Sequence, residues 1–413
     1  MDEVKVFGLL GEKLSHSYSK IIHEAIEGKY ELFEVERENF DKFMLDKNFD
    51  AINVTIPYKE MVIPYLDFID DKAKKIGAVN TIVNRNGKLY GYNTDYDGFK
   101  YIVSKNDFEI ENSCCLILGT GGTSKTVYTV LTDLNAKKID KASRSGKDGA
   151  LIYDEVNYSD YDYIINTTPA GMYPNIFDSI VNEVDVKGII DVVYNPFRTK
   201  ILSSNRNIKC VNGLDMLIYQ AIKSHEYFID KKISERKVSE IRAKLKKMFL
   251  NIVLIGMPGS GKTTISNKLS EELDMIYIDT DSLIEAKAGM KIDEIFSKYG
   301  EKQFREIEKE VIKDISIIQE CIISTGGGVI LDKDNVSALM ANGIIFYINR
   351  SIDNIYHDLE DRPLAKSKED LINLFERRSE LYQESSDFIV DNNSDLNTTV
   401  KKIKDLIEEF YNK

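Results

Sequence analysis

Short runs of consecutive apolar residues, each closed by glycine, proline or a polar turn former, recur along the chain. Residues 4–8 (VKVFG) and 51–55 (AINVT, followed by Pro57) predict strands, with helices expected over 19–28 and about 59–75. Residues 114–118 (CCLIL) and 252–255 (IVLI) show no polar alternation, the pattern of parallel strands covered on both faces. Each runs directly into a glycine-rich loop. The first is Gly119-Thr120-Gly121-Gly122; the second is Gly256-Met257-Pro258-Gly259-Ser260-Gly261-Lys262-Thr263. The loops are of different kinds, so they are not copies of one repeat, and they imply two α/β units. Between them, residues 231–247 place Ile233, Val238, Ile241 and Leu245 at helical spacing among eight basic and two acidic residues. This predicts a helix with a solvated basic face that closes the first unit and leads into the second at about 248–250.

Composition narrows the functional classes. A chain of 413 residues holds two to four domains at roughly 100–200 residues each. Its net charge of −13 argues against a nucleic-acid partner, which needs a basic surface. The basic 231–247 helix does not change that, because the remaining chain is so acidic. No apolar run approaches the ~18 residues of a membrane span, and the acidic start MDEVKVFGLLGE is unlike a signal peptide. Cys114, Cys115, Cys210 and Cys321 are too scattered for a disulfide framework or a zinc site. A soluble, reduced, cytoplasmic protein with small-molecule ligands is expected; oligomeric state is not indicated.

The first loop is a variant of the dinucleotide turn, in which glycines let the pyrophosphate approach and the next helix offers its N-terminal amides. About 20–25 residues on, where an acidic residue would hold the ribose hydroxyls, stands Ser143-Arg144-Ser145, with Asp140 earlier in the strand. An arginine between hydroxyls suits a 2′-phosphate, which favours NADP over NAD. Polar clusters fall at successive strand ends before the loop: Ser15 to Ser19, Asn53 to Glu60, Ala78 to Thr81 and Gly91 to Asp95. Any one of them suits a helix cap; four in succession suit a ligand cleft.

Carried by His16-Ser17-Tyr18-Ser19, Asn53-Val54-Thr55-Ile56-Pro57-Tyr58-Lys59-Glu60, Gly77-Ala78-Val79-Asn80-Thr81 and Asn93-Thr94-Asp95, residues 5–225 resemble the shikimate dehydrogenase family. Ile165 to Met172, Asp191 to Pro196 and Asn212 to Ala221 continue the likeness. The resemblance implies NADPH-dependent reduction of 3-dehydroshikimate to shikimate, with Lys59 and Asp95 as the catalytic pair. A lysine ammonium can stabilise the developing alkoxide and supply a proton while the carboxylate orients it. By the same likeness Ser17, Ser19, Thr55, Asn80, Tyr194 and Gln220 would bind the substrate. Gly119, Thr120, Gly121, Gly122, Thr123, Ser143, Arg144 and Ser145 would bind NADP(H), with Val192 and Gly213 beside the nicotinamide. Lys20 departs from the proline common in the family there. A lysine at a helix N-terminus is disfavoured by the helix dipole, which points Lys59 towards function rather than surface decoration.

The second loop is a full P-loop signature after a strand and before a helix. Its backbone amides wrap the β-phosphate, Lys262 reaches the β/γ oxygens and Thr263 offers a hydroxyl to Mg²⁺. Asp279 and Asp281 follow at i, i+2, on one side of an extended chain. One can take a metal-bound water and the other an acceptor hydroxyl, the alternative being two helix-capping aspartates. Phe304-Arg305-Glu306-Ile307-Glu308, Ser324-Thr325-Gly326-Gly327-Gly328, Arg362-Pro363-Leu364 and Arg378-x-x-x-Tyr382 come next. Arginines with a glycine turn suit an acceptor that carries a carboxylate. Over 250–410 this set resembles shikimate kinase. The resemblance implies that Asp281 binds the reacting hydroxyl and acts as base, and that Arg305, Gly327 and Arg378 bind shikimate. Gly259, Ser260, Gly261, Lys262, Thr263, Thr264 and Arg362 would hold ATP, with Mg²⁺ on Thr263 and, through water, Asp279. The segment 354–361 before Arg362 is acidic and lacks the additional arginine often found in the lid of such kinases.

The expected architecture is α/β throughout. A substrate subdomain (1–100, completed by helices over about 225–247) and a Rossmann-like NADP subdomain (101–224) precede a P-loop kinase domain (249–413). The product implied for the first half is the substrate implied for the second, which favours a bifunctional enzyme. A quinate-type dehydrogenase joined to another small-molecule kinase, or a ligand-binding regulatory protein without turnover, are the alternatives.

Overall fold

The computed structural model describes residues 5–14, 18–359 and 367–412. The chain divides into two compact units. The first comprises Met1–Pro169, Glu183–Tyr194 and Asn205–Arg242; the second comprises Ala170–Asn182, Asn195–Ser204 and Ala243–Lys413.

Two six-stranded sheets build the first unit. One contains β1 (Phe7–Gly11), β2 (Tyr30–Glu34), β3 (Ala51–Val54), β4 (Phe68–Ile69), β5 (Thr81–Arg85) and β6 (Lys88–Tyr92), in the order β2-β1-β3-β5-β6-β4. Strands β1, β2 and β3 are parallel, and the tight turn joining β5 to β6 makes that pair antiparallel. Leu10, Ile52, Val54 and Ile82 cover one face with Phe40, Met44 and Tyr58, all buried. The first strand begins at Phe7 rather than at residue 4. The helix expected over 59–75 is not formed. Pro64, whose ring would clash with the carbonyl of residue 60, sits instead in the 3-10 turn Ile63–Tyr65, and a helix starts only at Asp71–Ile76.

The other sheet is all parallel: β7 (Cys114–Leu118), β8 (Lys138–Ser143), β9 (Leu151–Ile152), β10 (Tyr163–Asn166), β11 (Gly188–Asp191) and β12 (Lys209–Val211). Its order is β12-β11-β10-β7-β8-β9. The chain therefore reverses direction across the sheet between β7 and β10, which opens a crevice at their carboxyl ends. Buried Ile117, Val127, Val130, Ile165, Phe99 and Ile102 form its core, as the unbroken apolar runs require. Helix Leu214–Ile229 packs on helix Thr94–Lys105 and on helix Ser19–Ile26, and so links elements that flank both sheets.

The second unit holds a parallel five-stranded sheet of β13 (Asn251–Ile255), β14 (Ile276–Asp279), β15 (Cys321–Ser324), β16 (Gly343–Asn349) and β17 (Phe388–Asp391), ordered β14-β15-β13-β16-β17. The P-loop follows the central strand β13 and opens helix Lys262–Leu273. No helix among the described residues is long and apolar enough to cross a membrane.

Candidate active sites

In the first unit, a cavity of about 440 Å³ opens at the strand ends and is lined by Thr55, Lys59, Asn80, Asp95, Thr123, Tyr194 and Gln220 among others. Lys59 Nζ lies 2.6 Å from Asp95 Oδ2, with the two side chains 31% and 20% exposed. Lys59 stands in the turns after β3, and its carbonyl accepts from Val79 N at 2.8 Å. Because no helix begins there, the dipole argument for Lys59 does not apply; what holds its ammonium is the Asp95 carboxylate. Asp95 occupies the first turn of helix Thr94–Lys105, where a carboxylate is favoured. Asn93 caps that helix, and its Nδ2 donates to Ala78 O at 2.9 Å. The Asn-Thr-Asp stretch is thus both a cap and half of an ion pair.

Asn80 is 3% exposed. Its Oδ1 accepts from Thr94 N at 2.8 Å and from Thr81 Oγ1 at 3.0 Å, which fixes the amide so that the NH₂ edge is the part offered to the cavity. Behind it, Ser224 Oγ lies 2.8 Å from Thr81 Oγ1 and 2.9 Å from Thr94 Oγ1, and receives Asn53 Nδ2 at 2.8 Å. Tyr194 meets Tyr18 edge to face at 6.0 Å, and burial raises both phenol pKa values. Ser19 also lines the cavity, whereas Ser17 lies outside the described residues.

On the dinucleotide side, Gly119 adopts φ +106° and a Cβ there would meet Thr167 Oγ1 at 2.9 Å, so a side chain is excluded. Helix Gly122–Asp133 begins immediately after, with Gly121 at its N-cap and Thr120 before it. Val192 and Gly213 border the cavity together, and a Cβ on Gly213 would approach Val192 O to 2.0 Å. Ser143 closes β8, and its Oγ accepts from Gly146 N at 3.1 Å; Arg144 and Ser145 follow, both exposed. Asp140 is engaged by Tyr161 and by Lys138, and does not stand at the strand end. Lys13, Leu14, Asn53, Met216 and Leu217 also line the cavity and were not singled out from the sequence. Asn53, Met216 and Leu217 lie within stretches that carry the family resemblance; Lys13 and Leu14 carry no motif signal.

In the second unit, Lys262 is 8% exposed and its Nζ donates to Gly256 O at 2.9 Å and Met257 O at 3.0 Å. Burial pulls its pKa down to about 8, against the opposing pull of Asp281 and Asp279. Gly259 and Gly261 hold φ of +78° and +95° in the loop, and Asn392 Nδ2 braces it by donating to Ser260 O at 2.8 Å. Thr263 and Thr264 follow Lys262 in the first turn of the helix, both exposed.

Asp279 ends β14 and N-caps helix Thr280–Ala288, its Oδ1 accepting from Ser282 N at 3.0 Å. The two aspartates therefore do not share one face of an extended chain; the cap turns the backbone, and Asp281 sits in the first helical turn. Burial and the charge of Asp279 raise the pKa of Asp281, while Lys262 and Arg305 oppose the rise. Arg305 donates to Glu308 at 2.7 Å, and Arg378 and Tyr382 both donate to Gly327 O, Arg378 at 3.0 Å. Glu308, 1% exposed and not singled out from the sequence, orients Arg305. A Cβ on Gly327 would meet Pro258 Cδ at 2.8 Å, which keeps the P-loop and this turn in close approach. Arg362 lies outside the described residues.

No group of three or more His, Cys, Asp or Glu side chains that could hold a metal ion occurs among the described residues. What the P-loop region offers is a hydroxyl and one carboxylate, Thr263 and Asp279. Mg²⁺, which keeps several waters and uses one or two carboxylates with substrate phosphates, fits such hard, sparse oxygen donors.

By fold and site, the first unit is a two-subdomain α/β enzyme with a dinucleotide turn beside a polar cavity, and the second is a P-loop phosphotransferase-type domain. Residues 9–82 match the family model "Shikimate dehydrogenase substrate binding domain", and residues 258–408 match "Shikimate kinase". A shikimate dehydrogenase (NADP(+)) of Clostridium beijerinckii is 44% identical over 259 residues, covering 56% of this chain and 96% of that protein. One from Staphylococcus epidermidis is 37% identical, covering 53% of this chain and 90% of its own length. Among solved structures, a chorismate mutase/shikimate 5-dehydrogenase fusion protein from Clostridium acetobutylicum matches with a TM-score of 0.56 and 39% identity, over 59% of this chain and 98% of that one. A shikimate dehydrogenase in complex with NADP⁺ matches with a TM-score of 0.53 and 32% identity, over 58% and 94%. The chain belongs to the shikimate dehydrogenase family and carries, after that part, a shikimate kinase domain; it is an enzyme with a dehydrogenase and a kinase part.

Proposed function

We propose that this chain is a bifunctional enzyme that reduces 3-dehydroshikimate to shikimate with NADPH and transfers a phosphoryl group from ATP to the 3-hydroxyl of shikimate. The observation that carries the first activity is the 2.6 Å Lys59–Asp95 pair in a cavity also lined by Asn80, Thr55 and Gln220. The dinucleotide supplies the hydride when bound. The Lys59 ammonium hydrogen-bonds the carbonyl oxygen, stabilises the alkoxide charge and supplies the proton, while Asp95 holds the ammonium in place. Asn80 presents donors to a ring hydroxyl, Thr55, Ser19, Tyr194 and Gln220 complete the pocket, and the family resemblance adds Ser17 as a further substrate-binding hydroxyl. Arg144 between Ser143 and Ser145 supports a 2′-phosphate, hence NADP rather than NAD.

For the second activity, Arg305 and Arg378 take the ring carboxylate, Gly327 offers backbone contact and Asp281 takes the proton of the attacking hydroxyl. The upward shift of its pKa makes Asp281 a better proton acceptor than an ordinary carboxylate. Lys262 and the loop amides bind the transferred phosphate charge. Mg²⁺ would be held by Thr263 and, through water, Asp279, and would neutralise charge on the phosphates. The reading places the chain in the cytoplasm, where NADPH and ATP are both regenerated.

Steady-state assays of the purified chain test this, following nicotinamide oxidation with 3-dehydroshikimate and ADP release with shikimate. Turnover in both assays is expected. Turnover with quinate but not shikimate, or ligand binding without turnover in either assay, would refute the proposal.

A further inference from the structure

Strand β14 alternates its side chains between two faces, so Tyr277 and Asp279 share one face. Tyr277 Oη donates to Asp279 Oδ2 at 2.8 Å. The other oxygen of that carboxylate, Oδ1, already accepts from Ser282 N at 3.0 Å as the helix cap. Each oxygen thus has one lone pair occupied and its direction set from the protein side, with the second lone pair left over. The Thr263 and Ser324 hydroxyls face the same phenol. The Tyr277 hydroxyl therefore bonds Asp279 and faces Thr263, the two side chains that the proposed function gives to the divalent cation. Nothing in the phosphoryl-transfer chemistry requires a phenol here, and a phenylalanine would fill the same space.

We infer that Tyr277 is a positioning residue of the cation site, fixing the Asp279 carboxylate, through the Oη–Oδ2 hydrogen bond and beside Thr263, to receive a metal-bound water. This rests on the kinase reading above. Outer-sphere partners of this kind typically change metal affinity about 10–100-fold when removed.

The test uses the full chain and Mn²⁺ as probe, with free Mn²⁺ followed by electron paramagnetic resonance in the presence of ADP. Tyr277→Phe is expected to weaken Mn²⁺ binding about tenfold or more, leaving metal-free ADP affinity and the thermal midpoint at wild-type values. In an Asp279→Asn background, Tyr277→Phe should add nothing, because the carboxylate it positions is gone. Equal Mn²⁺ affinity in wild type and Tyr277→Phe would overturn the inference while leaving the kinase reading intact. So would an equal loss in both backgrounds. Failure of the wild-type ADP complex to bind Mn²⁺ at all would overturn the kinase reading and this inference with it. If Tyr277→Phe lowers the thermal midpoint, Asp279→Asn alone decides, and its retention of wild-type Mn²⁺ affinity refutes the inference.

Discussion

Replacing Lys59 with alanine removes the one ammonium paired with Asp95 in the cavity of the first unit. The pair is close, at 2.6 Å, and partly shielded, with side chains 31% and 20% exposed. Screening at that exposure makes its contribution to stability small, within about 1 kcal/mol. The loss should therefore appear in catalysis. Removing a positioned proton donor lowers turnover by about 10²–10⁴-fold, or roughly 2.7–5.5 kcal/mol of barrier. Reduction of 3-dehydroshikimate, followed by the absorbance of NADPH, should show a kcat loss in that range with the thermal midpoint preserved. Asp95→Asn should lower kcat as well, and the double variant should be little worse than Lys59→Ala alone, since groups acting as one unit are not additive. A Lys59→Ala enzyme within about threefold of wild type in kcat, or strictly additive effects in the double variant, would refute the assignment.

Four further outcomes follow from other parts of the structure. Lys262→Ala should abolish ADP release with shikimate while dehydrogenase turnover stays at the wild-type value, because the two sites belong to separate units. Burial and Asp279 raise the Asp281 pKa, so more of it stays protonated as pH falls. The acid limb of kinase kcat/KM should accordingly lie above the range of an ordinary carboxylate, and Asp279→Asn should move it to lower pH; an unmoved limb would exclude Asp281 as the base. His23 and His225 are both 1% exposed, with Nδ1 atoms 3.0 Å apart, and burial lowers both pKa values, that of His225 to about 4. The unfolded chain binds protons first, so stability is complete above about pH 6.5 and falls as pH drops towards 4, by on the order of 3 kcal/mol for His225; His225→Phe should flatten the thermal midpoint over that window. Ser224→Val removes the hydroxyl behind Asn80 and leaves Asn53, Thr81 and Thr94 short of a partner. A loss of about 1–2 kcal/mol should raise the KM for the ring acid by a factor of roughly 5–30.

What could be read from the sequence was governed by how local the signal is. Residues 114–118 and 252–255 form β7 and β13 with the boundaries matching within one residue, because a strand buried on both faces needs an unbroken apolar run. Gly119, Gly256 and Gly261 were legible as loop glycines because each holds a positive φ with neighbours that leave no room for a side chain. The 59–75 segment was misread because its apolar spacing is helical while Pro64 forbids the helix. Asp279 and Asp281 were seen as a pair, but the turn between strand and helix depends on the cap at Asp279, which only the folded chain displays. Ser224 and the His23–His225 contact depend on partners as far as 202 residues apart in sequence, which no periodicity reports, whereas Glu308 meets Arg305 only three residues away, at an i, i+3 spacing that the sequence displayed. Ser17 and Arg362 stay as sequence expectations, outside the described residues.

The central claim is that one chain carries two sites for the same small ring acid. The most direct measurement supplies the purified chain with 3-dehydroshikimate, NADPH, ATP and Mg²⁺ and follows all ring species by mass spectrometry over time. Shikimate should rise and then give way to shikimate 3-phosphate. Lys262→Ala should stop the sequence at shikimate, and Lys59→Ala should leave 3-dehydroshikimate unconsumed yet still phosphorylate added shikimate. Phosphorylation of a different compound, or no phosphorylated ring product from wild type while NADPH is consumed, would contradict the account.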